Sequence, residues 1–237
     1  MLRLDRWLVT LGVGSRSQVQ KLIRQGAVTV GGAVVTDPSA SCDTNAELTL
    51  HRQKLDGRLT RHVMLHKPGG LLTAARDKKQ PTVMDLLPEA YASIGCMPVG
   101  RLDKDTTGLL LITDDGKAAH GLISPKSGVE KRYRALLDAP ATQADVEAFA
   151  RGLSLSDFEA LPAKLEIGEG NVAWCTVQEG KFHQVKRMFA AVGHPVLRLS
   201  RLMVAGIWLD EALAPGEWRE LTSEEINHLY KAAGMKE

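Results

Sequence analysis

The sequence contains little cysteine and no long hydrophobic run. Its 237 residues include three cysteines, Cys42, Cys96 and Cys175, which lie far apart in the chain. An odd number of separated cysteines argues against a disulfide framework and indicates reduced thiols in a cytoplasm. No apolar stretch approaches the roughly 20 residues that cross a bilayer. Arg3 and Asp5 interrupt the apolar segment that a signal peptide needs. We therefore expect a cytoplasmic protein that makes no membrane contact.

Sequence signatures of cofactor and metal sites are also missing. The run Gly12-Val13-Gly14 lacks the preceding strand and the third glycine of a dinucleotide-binding loop, and no phosphate-loop sequence occurs. His62 and His66 are four residues apart, but they fall across a strand-to-proline turn instead of on a helix. Asp114-Asp115-Gly116 follows a strand-like run and predicts a turn. The sequence thus predicts no metal site and shows no dinucleotide- or phosphate-binding loop.

Positive charge is concentrated at the N-terminus, although the net charge of the chain is only +2. The first 36 residues contain a single acid, Asp5, and five cations: Arg3, Arg6, Arg16, Lys21 and Arg24. A local basic surface attracts phosphates even in a nearly neutral chain. The alternative is an ordinary solvated helix face.

Two short helices and a hairpin are predicted for this basic segment. Apolar residues recur at helical spacing over residues 4–11, and Ser15 with Gln18 forms a capping-box pattern at the start of a second helix. That helix is expected to stop at Gly26. Residues 27–30 and 33–35 then read as strands around a glycine turn.

The rest of the chain mixes strands and helices without strict alternation. Residues 51–62 are polar and aperiodic, which predicts a linker. Strands are predicted at 63–65, 109–113, 133–137 and 172–177, helices at 144–150 and 183–192, and a further helix after the Thr222–Glu225 capping box. This order favours an α+β domain with a largely antiparallel sheet flanked by helices.

The N-terminal helices and hairpin resemble the S-four-like RNA-binding module. The resemblance is carried by three segments: Arg3 to Leu8, Ser15 to Gln18, and Ile23 to Val30. It implies that residues 1–58 form a small RNA-binding domain. The RNA would lie on the basic face of the helices, with contacts from Arg3, Arg6, Arg16, Lys21 and Arg24.

Four later segments resemble the pseudouridine synthases, in the order expected for that family. The most specific is Gly100 to Gly108, followed at once by an apolar run, because the family carries its one essential aspartate in such a loop. The others are residues 66–70, 131–133 and 180–189. The match is closest to the RsuA type, which modifies ribosomal RNA. It implies a catalytic domain at 59–237 and a substrate that is 16S rRNA or a small-subunit assembly intermediate.

The resemblance also implies roles for individual side chains. Asp103 is the essential carboxylate, and Lys186 is the cation that keeps it ionised. Tyr133 supplies a flat surface for the uracil, and Leu199 packs near the base. Arg101 fills the gap left by the extruded base or, alternatively, braces the loop by pairing with an acid such as Asp105. Arg187 points about 100° away from Lys186 on a helix and is assigned to RNA binding.

The implied reaction breaks the bond between uracil nitrogen and ribose, turns the base and rejoins it through a ring carbon. It involves no redox change and no group donor, so we expect no cofactor. Asp103 is either a nucleophile at the anomeric carbon or a base at the neighbouring ribose carbon, and both routes start from its ionised form. Alternatives are the same chemistry on 23S rRNA, or a non-catalytic RNA-binding ribosome-assembly factor. The second is suggested by His66, where the family usually has Asn. We expect a monomer.

Overall fold

The computed structural model describes residues 1–124 and 127–235. Contacts divide the chain into two compact units. The first contains Met1–Arg61 together with Pro88–Cys96, and the second contains His62–Leu87 together with the residues from Met97 onward. No helix among the described residues combines the length and the apolar character of a membrane span.

The first unit contains three helices and a small sheet. Its elements are β1 (Leu2–Arg3), α1 (Leu4–Thr10), α2 (Arg16–Arg24), β2 (Val28–Val30), β3 (Ala33–Val34), β4 (Ser41–Cys42), β5 (Leu48–Leu50), β6 (Gln53–Leu55) and α3 (Glu89–Ser93). The sheet has the order β3-β2-β5-β6, and β1 pairs separately with β4. Trp7 and Leu8 of α1 and Ile23 of α2 are fully buried in its core. The predicted helices and hairpin are confirmed, including the Ser15 capping box.

The linker predicted at 51–62 is partly wrong. Gln53–Leu55 forms strand β6, which pairs antiparallel with β5. The turn that brings the two strands together places His51 and Arg52 at φ values of 50° and 68°. Non-glycine residues rarely adopt positive φ, so the sequence carries no turn signal at this point.

The second unit is built on one large sheet. Its elements are β7 (His62–Lys67), a 3-10 helix (Val83–Leu86), β8 (Met97–Pro98), β9 (Thr107–Thr113), α4 (Gly116–Ile123), β10 (Lys131–Leu137), α5 (Gln143–Arg151), β11 (Leu153–Ser154), β12 (Glu159–Ala160), β13 (Lys164–Ile167), β14 (Val172–Val177), α6 (Gln184–Ala191), β15 (Val196–Val204), β16 (Ile207–Trp208), β17 (Trp218–Glu220) and α7 (Ser223–Ala232). The sheet order is β13-β14-β10-β15-β9-β7-β17, with β8 beside β9 and β16 beside β15.

Pairing within this sheet is antiparallel except between β9 and β15, which run parallel. The predicted α+β class with a largely antiparallel sheet is therefore confirmed. Leu109 and Leu111 of β9 are buried against Ala118 and Leu122 of α4 and Leu229 of α7. Strands β10, β15 and β9 lie side by side at the centre of the sheet.

The segment Asp114-Asp115-Gly116, predicted as a turn, bends at Asp114, and helix α4 then begins at Gly116. The Asp115 carboxylate accepts hydrogen bonds from the backbone N–H groups of Lys117 and Ala118, both at 3.0 Å, and so caps the helix. Gly116 and Gly121 lower the intrinsic helix propensity of this segment, so its sequence does not indicate a helix. A Cβ at Gly121 would lie 2.4 Å from the Ala233 carbonyl oxygen, so close packing after α7 requires the glycine.

Candidate active site

The loop that carries Asp103 joins β8 to β9, and Gly108 fixes the position at which the loop enters β9. Gly108 has a φ of 99°, and a Cβ at this position would lie 2.2 Å from the carbonyl oxygen of Arg201. Only glycine permits this close approach of β9 to β15, where Gly108 pairs with Arg201. The parallel pairing therefore places the loop beside the middle of β15.

A buried lysine anchors the backbone of the same loop. The ammonium of Lys67, at the end of β7, donates hydrogen bonds to the carbonyl oxygens of Pro68, Lys104 and Thr106 at 3.0, 3.1 and 2.9 Å. Its side chain is fully buried, and burial lowers the pKa of Lys67 to about 8. The Thr73 hydroxyl adds a hydrogen bond to the Leu102 carbonyl at 2.8 Å. The loop is thus held in place before any substrate binds.

Lys186 of α6 lies between two carboxylates of this loop. Its Nζ is 3.1 Å from Asp103 Oδ2 and 2.6 Å from Asp105 Oδ1. Burial lowers the pKa of Lys186, but the hydrogen bonds to Asp105 and Asp103 outweigh burial and leave the pKa above its ordinary value. The same contact with Lys186 holds the pKa of Asp105 below its ordinary value. The lysine therefore stays charged beside Asp103.

Two further side chains contact Asp103 that the sequence reading left unassigned. His183 Nε2 lies 3.4 Å from Asp103 Oδ1, and the Thr106 hydroxyl donates a hydrogen bond to Oδ2 at 3.5 Å. His183 stands in the left-handed region immediately before α6 and stacks on Phe182, with ring centroids 3.8 Å apart. Its position three residues before Lys186, and so about one helical turn away, is the signal that could have identified it.

Asp103, Tyr133 and Leu199 line one small cavity of about 60 Å³. Tyr133 lies on β10 directly opposite Cys175 on β14 and Arg201 on β15, and both Tyr133 and Leu199 are buried. The sheet register thus brings together residues that are far apart in the sequence. A carboxylate beside an aromatic ring and an apolar side chain suits a flat heterocycle attached to a sugar.

Arg101 lines the same cavity and is exposed. In the described part of the chain it forms no ion pair, and Asp105 contacts Lys186 instead. The sequence suggested two roles for Arg101: filling the space left by the extruded base, or pairing with an acid such as Asp105. The described residues contain no such pair.

Arg187 is bound within the second unit. It forms an ion pair with Asp157, donates a hydrogen bond to the Ser156 hydroxyl at 3.0 Å and lies over the Phe158 ring at 4.9 Å. These contacts connect α6 to the turn between β11 and β12. Its contact with RNA stays a prediction.

The basic residues of the first unit fall into two groups. Arg3 and Arg16 both pair with the fully buried carboxylate of Asp5, at 3.0 and 3.3 Å. The hydrogen bond from Arg3 holds the pKa of Asp5 far below its ordinary value. Arg6, Lys21 and Arg24 form a second group, which is exposed and has no ion pair with any described acid. The structure thus separates cations that organise the unit from cations that are free to bind a ligand.

Comparison with known proteins decides the family. A family model described as RNA pseudouridylate synthase matches residues 61–191, more than half of the chain, and a model of the S4 domain matches residues 2–48. The chain belongs to the RNA pseudouridylate synthase family. It is an enzyme of that family that carries an N-terminal S4 domain.

Relatives of this pseudouridylate synthase match it over nearly their whole length. Ribosomal small subunit pseudouridine synthase A of Pseudomonas aeruginosa is 43% identical over 231 residues, which cover 95% of this chain and 99% of the relative. An uncharacterized RNA pseudouridine synthase of Bacillus subtilis is 42% identical over 234 residues, which cover 96% and 98%. A crystal structure of a pseudouridylate synthase matches with a TM-score of 0.69 at 38% identity, covering 97% of this chain and 100% of that one.

No group of three or more His, Cys, Asp or Glu side chains among the described residues is arranged to hold a metal ion. His62, for example, lies between the Thr113 and Tyr230 hydroxyls, with its ring nitrogens 2.9 and 3.0 Å from them.

Proposed function

We propose that this pseudouridylate synthase converts a specific uridine of 16S ribosomal RNA to pseudouridine. Relatives named ribosomal small subunit pseudouridine synthase A, about 40% identical over nearly the full chain, support this choice of substrate. Residues 1–58 would bind the RNA and residues 59–237 would carry the reaction. The enzyme would act as a cytoplasmic monomer on the RNA or on a small-subunit assembly intermediate.

One observation carries the proposal: the Lys186 ammonium is 3.1 Å from an Asp103 carboxylate that lines a cavity with Tyr133. The reaction needs an ionised carboxylate beside the ribose, as nucleophile or as base. An ammonium at this distance stabilises the carboxylate charge where water is partly excluded. Lys67 and Gly108 fix the loop backbone, so Asp103 meets the sugar without a rearrangement of its own.

The cavity walls suit a detached uracil. A uridine in folded RNA must leave its stack before the reaction, and an enzyme then holds the extruded base on aromatic and apolar side chains. Tyr133 and Leu199 would hold the uracil while it turns. Arg101, exposed at the same cavity, would occupy the space that the base leaves in the RNA.

The direct test is Asp103→Asn, assayed by pseudouridine mapping of 16S rRNA in a strain that lacks the native chain. We expect wild-type protein to restore one site and Asp103→Asn to restore none, with RNA affinity retained because the contacts come from other residues. Asp77→Asn is the matched control. Asp77 is an exposed loop acid that caps the N–H groups of Lys79 and Gln80, and its amide would keep an acceptor there.

The remaining outcomes separate the other candidate functions. Modification restored in 23S instead of 16S rRNA would reassign the substrate but keep the chemistry. Full modification by Asp103→Asn would refute the assigned mechanism. Normal small-subunit maturation without any pseudouridine dependent on this chain would establish a non-catalytic assembly factor.

A further inference from the structure

A second cavity of about 180 Å³ shares Tyr133 with the cavity that Asp103 lines. Lys131 and Tyr133 are two residues apart on β10, so their side chains leave the same face of the sheet. Arg201 lies directly opposite Tyr133 on β15, which places it on that face as well. All three residues line the cavity.

The two cations in this group have no acid of their own. Arg201 is only 3% exposed, and its Nε donates to the Leu109 carbonyl oxygen at 2.9 Å. The Lys131 ammonium donates to the Val129 carbonyl oxygen at 3.0 Å. Within residues 1–124 and 127–235, neither side chain forms an ion pair. A buried charge without a counter-charge is costly, so an anion that entered this cavity would be stabilised by both cations.

The acid that lines this cavity, Glu179, is already engaged. Its Oε1 accepts hydrogen bonds from the Leu161 backbone N–H at 2.8 Å and the Gln184 side chain at 2.7 Å. Its Oε2 lies 3.5 Å from the Lys181 ammonium. Arg101 also lines the cavity, so four cations surround a single, fully used carboxylate.

The electrostatics agree with this arrangement. Burial and the nearby positive charge of Arg201 together lower the pKa of Lys131 to about 8, although the negative charge of Glu179 opposes them. The negative charge of a phosphate in the cavity would offset the repulsion between Lys131 and Arg201. A guanidinium offers a planar set of donors that matches phosphate oxygens, and an ammonium adds a compact charge.

We propose that this cavity binds an internucleotide phosphate of the RNA strand, next to the uridine extruded toward Asp103. The inference rests on the proposed function. It assigns the phosphate to the RNA because the two cavities share Arg101, Tyr133, Glu179, Gly180 and Lys181, so a strand entering one reaches the other. Lys131 and Arg201 then position the strand, while Asp103 acts on the sugar.

The test measures the affinity of the full-length Asp103→Asn chain for an RNA oligonucleotide containing the target uridine. Oligonucleotides with one neutral methylphosphonate linkage, placed in turn on each side of that uridine, remove one phosphate charge at a time. We expect one such linkage to weaken binding by about tenfold to hundredfold. Lys131→Met, added to the same chain, should weaken binding of unmodified RNA by a similar factor and should abolish the further loss at that linkage.

Lys117→Met is the matched control, because Lys117 is an exposed lysine of α4 that does not line the cavity. It should leave the sensitivity to each linkage unchanged. If each neutral linkage weakened binding by the same factor in the chains with and without Lys131→Met, the inference would be overturned. Competition by inorganic phosphate at the Lys131 site without any effect of a neutral linkage would overturn it too, since the site would then take free phosphate.

Failure of the inference is distinguishable from failure of the proposed function. If Asp103→Asn abolishes pseudouridine formation while the linkage experiment gives no coupling with Lys131, only the phosphate assignment falls. Arg201→Lys, which keeps the charge at the buried position, tests the second cation without leaving the Leu109 carbonyl against an apolar side chain. It should show a smaller loss at the same linkage.

Discussion

The backbone of Gly108 touches the backbone of Arg201 so closely that a Cβ on Gly108 would stand 2.2 Å from the Arg201 carbonyl oxygen and 2.8 Å from its nitrogen. This contact joins β9 to β15 at the one parallel pairing of the described large sheet. Since the Asp103 loop leads directly into β9, the contact sets where the carboxylate lies relative to Leu199 and Tyr133.

Gly108→Ala should therefore damage both stability and activity. The added methyl group overlaps backbone atoms that have no freedom to move, and the φ of 99° is strained for any residue with a Cβ. We expect the free energy of unfolding to fall by at least about 3 kcal/mol. Urea unfolding measures the loss. Gly70→Ala, also at positive φ but with open space around its Cβ position, is the control and should cost distinctly less.

Lys67→Met should loosen the Asp103 loop. Methionine fills the buried space, but the carbonyl oxygens of Pro68, Lys104 and Thr106 lose their shared donor. We expect a loss of about 3 kcal/mol in unfolding free energy and a larger fall in kcat than rise in KM. Single-turnover kinetics with the RNA substrate measures this split.

Lys104→Met tests the same loop at an exposed lysine. Among the described residues, its ammonium donates a hydrogen bond only to the Gln80 side chain, at 2.7 Å. Its stability should stay within about 0.5 kcal/mol of wild type. An equal loss from both lysine variants would contradict the anchoring role of Lys67.

Lys186→Met should lower kcat by about 10²- to 10³-fold, because the carboxylate of Asp103 loses its counter-charge in a partly buried site. Lys186→Arg should restore part of the rate. Asp105→Asn removes the more exposed of the two acids that contact Lys186 and leaves the pair with Asp103, so its kcat should change by less than about fivefold. Comparable rates for Lys186→Met and wild type would show that the ion pair has no catalytic role.

Asp5→Asn should destabilise the first unit in a pH-dependent way. The pKa of Asp5 is held below its ordinary value of 3.8 by the hydrogen bond from Arg3. The resulting stabilisation is fully present above that value and is lost as the pH falls below it. We expect a deficit of about 2 kcal/mol at pH 7 for Asp5→Asn, shrinking below pH 4. Hydrogen exchange in β2 and β5 of the full chain, compared at pH 7 and below pH 4, measures this loss of stability. A loss that does not change with pH would contradict the prediction.

Replacing Arg6, Lys21 and Arg24 together by Gln should weaken RNA binding without unfolding the first unit. These side chains are exposed and unpaired among the described residues, so their charges are available to phosphates. The slope of log Kobs against log salt should become shallower by about 2. Lys54→Gln is the control, since Lys54 pairs with Glu47 at 3.1 Å on the same unit. An unchanged salt slope in the triple variant would place the RNA on another surface.

The sequence alone identified the helices and strands whose periodicity is local. Apolar spacing and capping boxes gave α1, α2, α5 and α7. The resemblance of the motif segments to the pseudouridine synthases indicated Asp103, Tyr133 and Lys186 as candidate site residues. These features were accessible because each depends on neighbours within a few positions along the chain.

Tertiary structure decided what depends on distant partners. Strand β6 pairs with β5 across a turn with unusual φ values, and Gly121 of α4 packs closely against the chain after α7. The sharing of Lys186 by two acids and the anchoring of the loop by Lys67 depend on close approaches between elements far apart in sequence. So does the grouping of Lys131 with Arg201, which follows from strand register. Charge and burial act through space, so a linear pattern could indicate candidate site residues but only the folded sheet could set their surroundings.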